Sequence, residues 1–529
     1  MRGLTAATIA AVFLCGGATA LAQNITGTIT GTIQDSSGGS VPDTTVTAEN
    51  RDTGIRYSAS STSAGVYVLP LLPVGHYELT VEKQGFKKFV RSGLLLGAAD
   101  RLRVDVVLEV GAVSEQVRVT AETPLVQAEE ATVGGDFTPS EFQRLPIGRS
   151  PVSMMSLLPG VQNSPAGLAT GNINGSREVT TDFKLDGTAA TTSNLGYVRI
   201  TPIQELVEEV VVQTGNYSAE FGRGATQVGL NTLAGTNEYH GVLFHYFGND
   251  ALNANSFMNN RYGTAKPILR YNLFGGTIGG PVIIPKLYNG HNRTFFTFGY
   301  QGTRQRGAGQ RISSVPTEAM RGGDFSGLAT IYDPATTQPA GTGFTRAPFP
   351  GNVIPSSRFD PVAMKMLQNS YPVPTRGGVA NNYVFLGGTP TDNDMVNARV
   401  DQNFNDRNRL TVRYIYGDIL STNLPAFAGP AGAGSNSFSL NSEQQDHLIS
   451  GEYTYLIRPN LINTFRGGYF YDNSPKGGPG TFEDWPAKLG LKNLPAYTFP
   501  LVNISALASF GGSNLANQTP AKNIDFSDG

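Results

Sequence analysis

The character of the sequence changes within residues 214–247, TGNYSAEFGRGATQVGLNTLAGTNEYHGVLFHYF. Upstream, short β-like segments are bounded by Gly, Pro and Asn turns; downstream, the segments are longer and rich in Tyr and Phe. After a polar turn at 234–237, Tyr239 begins a run whose two faces alternate at every residue. Because successive side chains of a β-strand point to opposite faces, a period of two predicts strands. We therefore expect a mainly β chain, with compact modules first and long strands after them.

Three downstream segments show this period clearly, each with an apolar or aromatic face opposite a polar face: residues 396–401, 410–416 and 449–457. The polar faces carry Arg399, Asp401, Arg413 and Glu452. Segments of about ten residues suit tilted strands that cross a bilayer. A soluble sandwich produces the same alternation, but aromatic clusters at the strand ends and a long irregular segment at about 302–391 favour a membrane barrel.

The N-terminus has the features of a secretory signal. Residues 1–22 combine Arg2, an apolar run and the A-x-A motif that ends at Ala22, where we expect cleavage. The single cysteine, Cys15, lies inside this segment, so the mature chain is expected to have no disulfide. No other apolar run approaches 18 residues, so a membrane-spanning form must be a closed β-barrel. A net charge of −2 gives no electrostatic case for nucleic-acid binding.

Residues 23–110 are predicted to form a small β-sandwich, because short strands alternate with regularly spaced turns. The segments that follow in order are similar to the carboxypeptidase regulatory-like domain: GTIQD at 31–35, VPDTTV at 41–46, NRDTG at 50–54, AGVY at 64–67 and LPVGHY at 72–77. The resemblance implies a β-sandwich that is appended to a larger protein, and it does not imply peptidase activity. The H-x-x-E ligand pair of such a zinc enzyme is missing from the sequence.

Residues 111–121 are expected to be a hinge that contains a short extended segment. Its residues resemble the TonB box, and they are Glu115, Gln116, Val117, Arg118, Val119, Thr120 and Ala121. Such a segment can add as a strand to a partner's sheet, so that main-chain hydrogen bonds transmit a pull. The alternative is that it forms the last strand of the preceding sandwich.

Residues 122–235 are predicted to be an α+β domain that resembles the plug of TonB-dependent receptors. The motifs occur in the expected order: LPIGR at 145–149, LPGV at 158–161, NGSRE at 174–178, FKLDG at 183–187, VEEVVVQTG at 207–215 and AEFGR at 219–223. Their charged residues are candidates for a buried plug–barrel ion network, namely Arg177, Asp186, Glu220 and Arg223. Ordinary solvated charges are the alternative. Asp186 and Gly187 are also expected to form a turn before Thr188.

Residues 236–529 are predicted to be the N-terminal part of a transmembrane antiparallel barrel. Segments such as GGPVIIPK at 279–286 and FPGNVIP at 349–355 resemble the Oar-like branch of TonB-dependent receptors. A receptor barrel of this kind closes with about 22 strands. Only about seven good candidates follow residue 236, so we expect a fragment or a truncated gene product.

Signals for catalysis, cofactors and metals are weak, and we predict none of these. The sequence has no G-x-S-x-G, Walker A or H-E-x-x-H motif, and its five histidines are scattered. The resemblance implies a TonB-dependent outer-membrane receptor that takes up a nutrient. Its partners would be outer-membrane lipid, a TonB-type periplasmic energy-coupling protein, and an extracellular siderophore, glycan or peptide. The alternatives are an outer-membrane adhesion protein whose sandwich binds carbohydrate or a protein, and a soluble secreted binding protein.

Overall fold

The computed structural model describes most of the chain after residue 25. The described residues are 26–98, 100–112, 116–120, 133–137, 149–157, 159–162, 172–176, 180–191, 198, 200–215, 226–261, 263–422, 427, 441–458, 461–473, 476–477, 483–494, 499–511 and 521–528. They form three consecutive β domains, which we call the sandwich, the plug and the barrel sheet. No helix in these residues is long and apolar enough to cross a membrane.

The sandwich consists of nine strands: β1 (Gly27–Asp35), β2 (Thr45–Asn50), β3 (Arg56–Ser60), β4 (Val66–Leu72), β5 (Gly75–Glu82), β6 (Lys88–Leu96), β7 (Arg101–Arg103), β8 (Val106–Leu108) and β9 (Gln116–Thr120). One sheet has the order β4-β1-β7, with β8 also paired to β1, and the other has the order β3-β2-β5-β6-β9. Alternate residues of each strand fill the core between the sheets, including Ile29, Ile33, Tyr67, Tyr77 and Leu79.

Two features of the sandwich differ from the sequence prediction or go beyond it. Strand β6 was not predicted, because Arg91 and Gly93 interrupt its alternation of apolar and polar residues. Strand β9 pairs in parallel with β6, from Lys88 opposite Gln116 to Ser92 opposite Thr120. The segment that resembles a TonB box is therefore the edge strand of the second sheet, which is the alternative position given above.

The plug contains seven strands: β10 (Val133–Phe137), β11 (Val161–Gln162), β12 (Asn172–Ile173), β13 (Thr181–Leu185), β14 (Thr188–Ala189), β15 (Val207–Gly215) and β16 (Thr226–Thr232). Its main sheet has the order β10-β15-β16-β13-β14. The central strands are apolar and buried, as expected for strands covered on both faces. Short 3-10 helices flank the sheet at Pro151–Leu157 and Gln204–Leu206.

The barrel sheet begins eight residues after the plug ends. Its strands are β17 (His240–Asn249), β18 (Ile268–Pro281), β21 (Thr294–Ser313), β24 (Tyr383–Gly388), β25 (Thr391–Asn405), β26 (Asn408–Thr422), β27 (Asn441–Arg458), β28 (Leu461–Asn473), β29 (Lys476–Gly477) and β30 (Ala521–Asp528). Small hairpins between them are formed by β19 (Ile283–Ile284), β20 (Tyr288–Asn289), β22 (Gln338–Ala340) and β23 (Gly343–Thr345). All neighbouring strands of the sheet are antiparallel, and β17 and β30 lie at its edges in the described part of the chain.

The predicted alternation of the barrel strands is confirmed. On β26 and β27 the inward-facing Arg413 and Glu452 are buried, whereas Val412 and Ile449 are 40% and 48% exposed. Polar residues therefore face the plug and apolar residues face outward, which is the arrangement of a barrel in lipid.

Turns at one end of the barrel sheet are short and loops at the other end are long. The short turn 406–407 joins β25 to β26, whereas residues 314–382 lie between β21 and β24. The long loop is shorter than the predicted 302–391, because β21 continues to Ser313. The polar Arg304 and Arg306 hid this extension in the sequence, but they pair with Asp394 and Asp392 of β25.

The long loops form a layer with its own small core. The described part of this loop layer includes four short α-helices, α1 (Phe257–Arg261), α2 (Glu318–Arg321), α3 (Pro361–Ser370) and α4 (Trp485–Leu489). The core joins the 314–382 loop to residues 483–511 through Tyr371, Phe499 and Phe510. In outer-membrane barrels long loops face the outside and short turns face the periplasm. The loop layer therefore lies at the long-loop end of this sheet, opposite the short turns.

Candidate functional site

A tight hairpin of the plug carries Asp186 into the junction with the barrel. Strands β13 and β14 are joined by Asp186 and Gly187, with Leu185 opposite Thr188. Both turn residues have positive φ, 46° and 80°, which is the backbone of the two-residue turns that favour Asp-Gly. The turn predicted at this position is confirmed, and it places the carboxylate at the tip of the hairpin.

The Asp186 carboxylate is buried and contacts both the plug and the barrel. Within the plug, the backbone N–H of Thr232 donates to Oδ1 at 2.9 Å, and the Thr232 hydroxyl donates to Oδ2 at 2.7 Å. From the barrel, Arg413 Nε lies 2.8 Å from Oδ2 and Arg399 Nη1 lies 3.9 Å from Oδ1. One carboxylate therefore links strand β16 of the plug to strands β25 and β26 of the barrel.

Further charged residues surround this contact on the inner face of the barrel. Arg399 donates to both carboxylate oxygens of Asp401, at 2.8 and 3.0 Å, and it also donates to the backbone carbonyl of Thr232. On the neighbouring strands, Arg466 Nε lies 2.5 Å from Glu452. Buried charges require such partners, because an unpaired charge loses its hydration without compensation. We call Asp186, Arg399, Asp401, Arg413 and Glu452 the junction cluster.

One member of the junction cluster is only partly satisfied. Arg413 is buried, and its contact with Asp186 is an ion pair without hydrogen-bond geometry. Within the described residues, none of its three guanidinium nitrogens has a hydrogen-bond acceptor. A buried donor without an acceptor costs about 1–3 kcal/mol, so this attachment of the plug is weaker than a fully bonded one.

A carboxylate of the plug beside this cluster has an altered pKa. Burial raises the pKa of Glu208 to about 7. The nearby Arg399 acts in the opposite direction, and the acidic Glu209 and Asp186 add to the increase. The charge of Glu208, beside the junction cluster, therefore changes near neutral pH. Around Glu208 and the junction cluster, residues of all three domains enclose a small cavity of 70 Å³.

A second polar contact joins the plug to the first barrel strand. Arg149 forms an ion pair with Glu205, and its guanidinium lies 3.7 Å from the centre of the Tyr246 ring. The apolar side of the interface is formed by Ile415, Leu448 and Phe470 of the barrel, which pack into the core of the plug. The plug is thus held by both ion pairs and apolar contacts.

The sandwich is attached at the short-turn end. The backbone N–H of Asn237 donates to the carbonyl of Asp52 at 3.0 Å, and its side chain donates to the carbonyl of Thr53 at 2.7 Å. The backbone N–H of Ala98 donates to Glu209 of the plug at 3.0 Å. The sandwich therefore contacts both the plug and the connection to the barrel.

The other predicted site residues are only partly described by the structure. Arg177, Glu220, Arg223 and the cleavage position Ala22 lie outside the described residues, as do Glu115 and Ala121. Residues Gln116–Thr120 form β9, where Arg118 Nη2 lies 3.7 Å from Glu78 Oε2 of β5.

Sequence reasoning placed Arg399, Asp401, Arg413 and Glu452 on one face of their strands but assigned them no site. A usable signal was present, because charges recur on the polar faces of three successive predicted strands. Among the described residues, no group of three His, Cys, Asp or Glu side chains could hold a metal ion.

Two family models match the chain. The model described as "Outer membrane beta barrel domain" matches residues 231–529, and the model described as "Carboxypeptidase regulatory-like domain" matches residues 28–109. Among curated proteins, the TonB-dependent transporter Oar of Myxococcus xanthus is 31% identical over 301 residues. That match covers 54% of this chain and 28% of Oar, so the chain spans well under half the length of this relative.

Solved structures of outer-membrane proteins are also similar in part. The siderophore receptor PirA from Acinetobacter baumannii gives a TM-score of 0.41 at 13% identity, covering 78% of this chain and 46% of PirA. The outer membrane transporter YddB from Escherichia coli gives a TM-score of 0.40 at 12% identity, covering 65% of this chain and 39% of YddB.

Proposed function

Since the chain belongs to the outer membrane beta barrel family, we propose that it acts as a TonB-dependent outer-membrane receptor that takes up a nutrient. The observation that carries the proposal is the burial of Asp186 between a separate plug domain and the inner face of the barrel. A domain seated there must move before a solute can pass. The incomplete bonding of Arg413 lowers the cost of that movement.

Energy coupling is proposed to act through β9. In the described residues, β9 pairs with β6 on one side and is the last strand of its sheet on the other. An edge strand presents unpaired N–H and C=O groups, so a periplasmic TonB-type protein can add its own strand there. Residues 115–121 precede the plug in the chain, so a pull on them would be transmitted to it. Export through residues 1–22, with cleavage after Ala22, belongs to the same proposal.

A binding measurement tests this coupling. The periplasmic domain of a TonB-type protein is titrated onto the purified full chain, and Val119→Pro is expected to weaken binding at least about 10-fold, because proline cannot donate to a strand ladder. Val119→Thr, which keeps β propensity, serves as the control and should bind as the unmodified chain does. Deletion of 115–121 should abolish energised uptake while extracellular ligand binding is kept. Unchanged uptake after the deletion would refute the mechanism.

The alternative of adhesion through the sandwich has less support. The sandwich contacts the short-turn end through Asn237, and that end faces the periplasm in outer-membrane barrels. A domain there is poorly placed to bind an external surface. A deletion strain that loses adhesion while keeping nutrient uptake would favour the adhesion function.

A further inference from the structure

One end of the sandwich lies against the short-turn end of the barrel sheet. Ile55, after the turn that joins β2 to β3, and Leu71, at the end of β4, both belong to this end of the sandwich. These two residues share a cavity of 60 Å³ with the short barrel turn at 405–408. The sandwich therefore covers the barrel sheet where its turns are short.

The sandwich also reaches the junction cluster. All five members of that cluster line the cavity of 70 Å³, and Thr53, Tyr57 and Pro73 of the sandwich line the same cavity. The sandwich is therefore next to the ion pairs that hold the plug, and it is more than a domain tethered at the edge of the barrel.

Tyr57 of β3 links the core of the sandwich to the inner face of the barrel. Its ring packs on that of Tyr77, with the ring centres 6.4 Å apart. Burial raises the pKa of the Tyr57 hydroxyl, and the nearby guanidinium of Arg409 lowers it. Arg409 Nη2 lies 3.9 Å from Glu452 Oε1 of the junction cluster. A continuous series of contacts therefore runs from the sandwich to the cluster.

A second link is formed by Asn237, which binds a sandwich turn and a barrel turn at once. Besides its bond to the Thr53 carbonyl, its side chain donates to Asn292 Oδ1 at 2.6 Å and accepts from the Asn292 backbone N–H at 2.9 Å. The two turns are in close contact, because a Cβ on Gly54 would overlap Asn292 Oδ1.

The plug is in contact with the sandwich as well. Glu209 of β15 accepts from the backbone N–H of Ala98, and a Cβ on the preceding Gly97 would lie only 3.1 Å from Glu209 Oε1. A plug that moved toward the short turns would therefore meet the sandwich, so that neither domain can move in that direction alone.

We infer that the sandwich is a lid that holds the plug in the barrel and must swing away from the short turns before the plug can leave. The position of this lid on the periplasmic side rests on the proposed function, whereas its hold on the plug does not. Strand β9 is paired with β6 of the lid, so a pull on residues 115–121 would load the lid together with the plug.

A reversible cross-link tests whether the plug can open while the lid is docked. Thr53→Cys and His291→Cys place thiols on either side of Asn237, whose side chain lies 2.7 Å from the Thr53 carbonyl and 3.3 Å from His291 Nδ1. In the purified full chain with Cys15→Ser, the two thiols are joined by a short bis-methanethiosulfonate linker. Hydrogen exchange in Thr181–Leu185 and Thr226–Thr232 should be at least about 10-fold slower than after reduction of the linker, because undocked states are removed.

A control cross-link and a matched pair of glycine variants complete the test. Thr47→Cys with Ser58→Cys, whose hydroxyls are 3.1 Å apart within the sandwich, should leave plug exchange unchanged when linked. Gly54→Asn should undock the lid and make plug exchange about 10-fold faster, since one or two hydrogen bonds are lost. Asn tolerates the positive φ of both Gly54 and Gly38, and Gly38→Asn is the control because no atom lies within 4 Å of a Cβ there.

Equal plug exchange in the linked and the reduced samples would overturn the inference. So would a Gly54→Asn chain whose spin-label distances show an undocked sandwich but whose plug exchanges at the original rate. Peptides of β5 check that the sandwich stays folded, and the cross-link decides the question if Gly54→Asn does not undock it. None of these measurements needs a TonB-type protein or a transported solute. Failure of the lid and failure of energised uptake are therefore distinguishable.

Discussion

Replacing Asp186 by Asn tests whether the junction cluster holds the plug in the barrel. The substitution keeps the shape of the side chain but removes the one carboxylate that, within the described residues, forms an ion pair with Arg413, whose Nε lies 2.8 Å from Oδ2. Arg399 keeps Asp401 as its counter-ion at 2.8 Å, so only one cation loses its partner. Breaking a buried ion pair from one side costs about 3–5 kcal/mol, and we expect the lower end of this range.

The expected loss can be measured by hydrogen exchange. A loss of about 3 kcal/mol in local opening free energy makes exchange about 150-fold faster in the amides that open with the plug. Peptides that cover Thr181–Leu185 and Thr226–Thr232 report on the strands beside Asp186. Peptides from β26, which stays in the barrel sheet, should keep their rates.

A double variant and an exposed control make the result specific. Asp186→Asn combined with Arg413→Met removes both charges and should recover much of the protection, because no charge is left buried alone and the Asn amide oxygen can still accept from Thr232. Asp406→Asn, at an exposed turn of the same sheet, should leave exchange unchanged. If Asp186→Asn changes plug exchange by less than about 3-fold, the ion pair does not hold the plug, and the mechanism built on it is wrong.

Other perturbations test the neighbouring contacts. A Cβ on Gly468 of β28 would lie 2.2 Å from Thr188 Cγ2 of the plug. Gly468→Leu should therefore displace the plug hairpin and make the plug more sensitive to protease. Gly451→Leu is the control, because a Cβ there would have no neighbouring atom closer than 3.8 Å. The pKa of Glu208 is raised from 4.5 to about 7, so its contribution to plug stability is fully present below pH 4.5 and is lost as pH rises through 7. The urea stability of the plug should therefore fall by at most about 3 kcal/mol between pH 4.5 and 8, and Glu208→Gln should flatten this dependence. Asn237→Ala removes the 2.7 Å hydrogen bond from the Asn237 side chain to the Thr53 carbonyl of the sandwich. The distribution of distances between spin labels on the sandwich and the barrel should therefore broaden. An unchanged distribution would show that other contacts hold the sandwich in place.

The sequence predicted the aspects of this molecule that depend on local patterns. The Oar-like and carboxypeptidase regulatory-like resemblances are confirmed by the matched relative and the family model. The inward direction of Arg399 and Glu452 followed from a period of two, and the turn at Asp186 followed from the Asp-Gly pair. These features could be predicted because they are determined by residues close together in the chain.

Features that depend on distant pairing could not be predicted. The contact of Asp186 with Arg413 joins residues more than two hundred positions apart, and no local pattern encodes it. The polar extension of β21 to Ser313 is likewise visible only beside β25. The position of Gln116–Thr120 on the sandwich depended on β6, a strand that the sequence did not reveal.

The strand order of the plug also has a consequence for how the domain folds. Its sheet has the order β10-β15-β16-β13-β14, so the two strands that join its halves are the last ones to be synthesised. About seventy residues separate β10 from its partner β15, and about forty separate β13 from its partner β16. Both pairings therefore have a high entropic cost of loop closure. The sheet therefore has no stable half, and a chain that emerges from its N-terminus would keep this region unfolded until Thr232 had emerged. Eight residues later the first barrel strand begins, but in the described residues it pairs only with β18, which follows at Ile268–Pro281, so the plug sheet is expected to be complete before the first barrel hairpin forms.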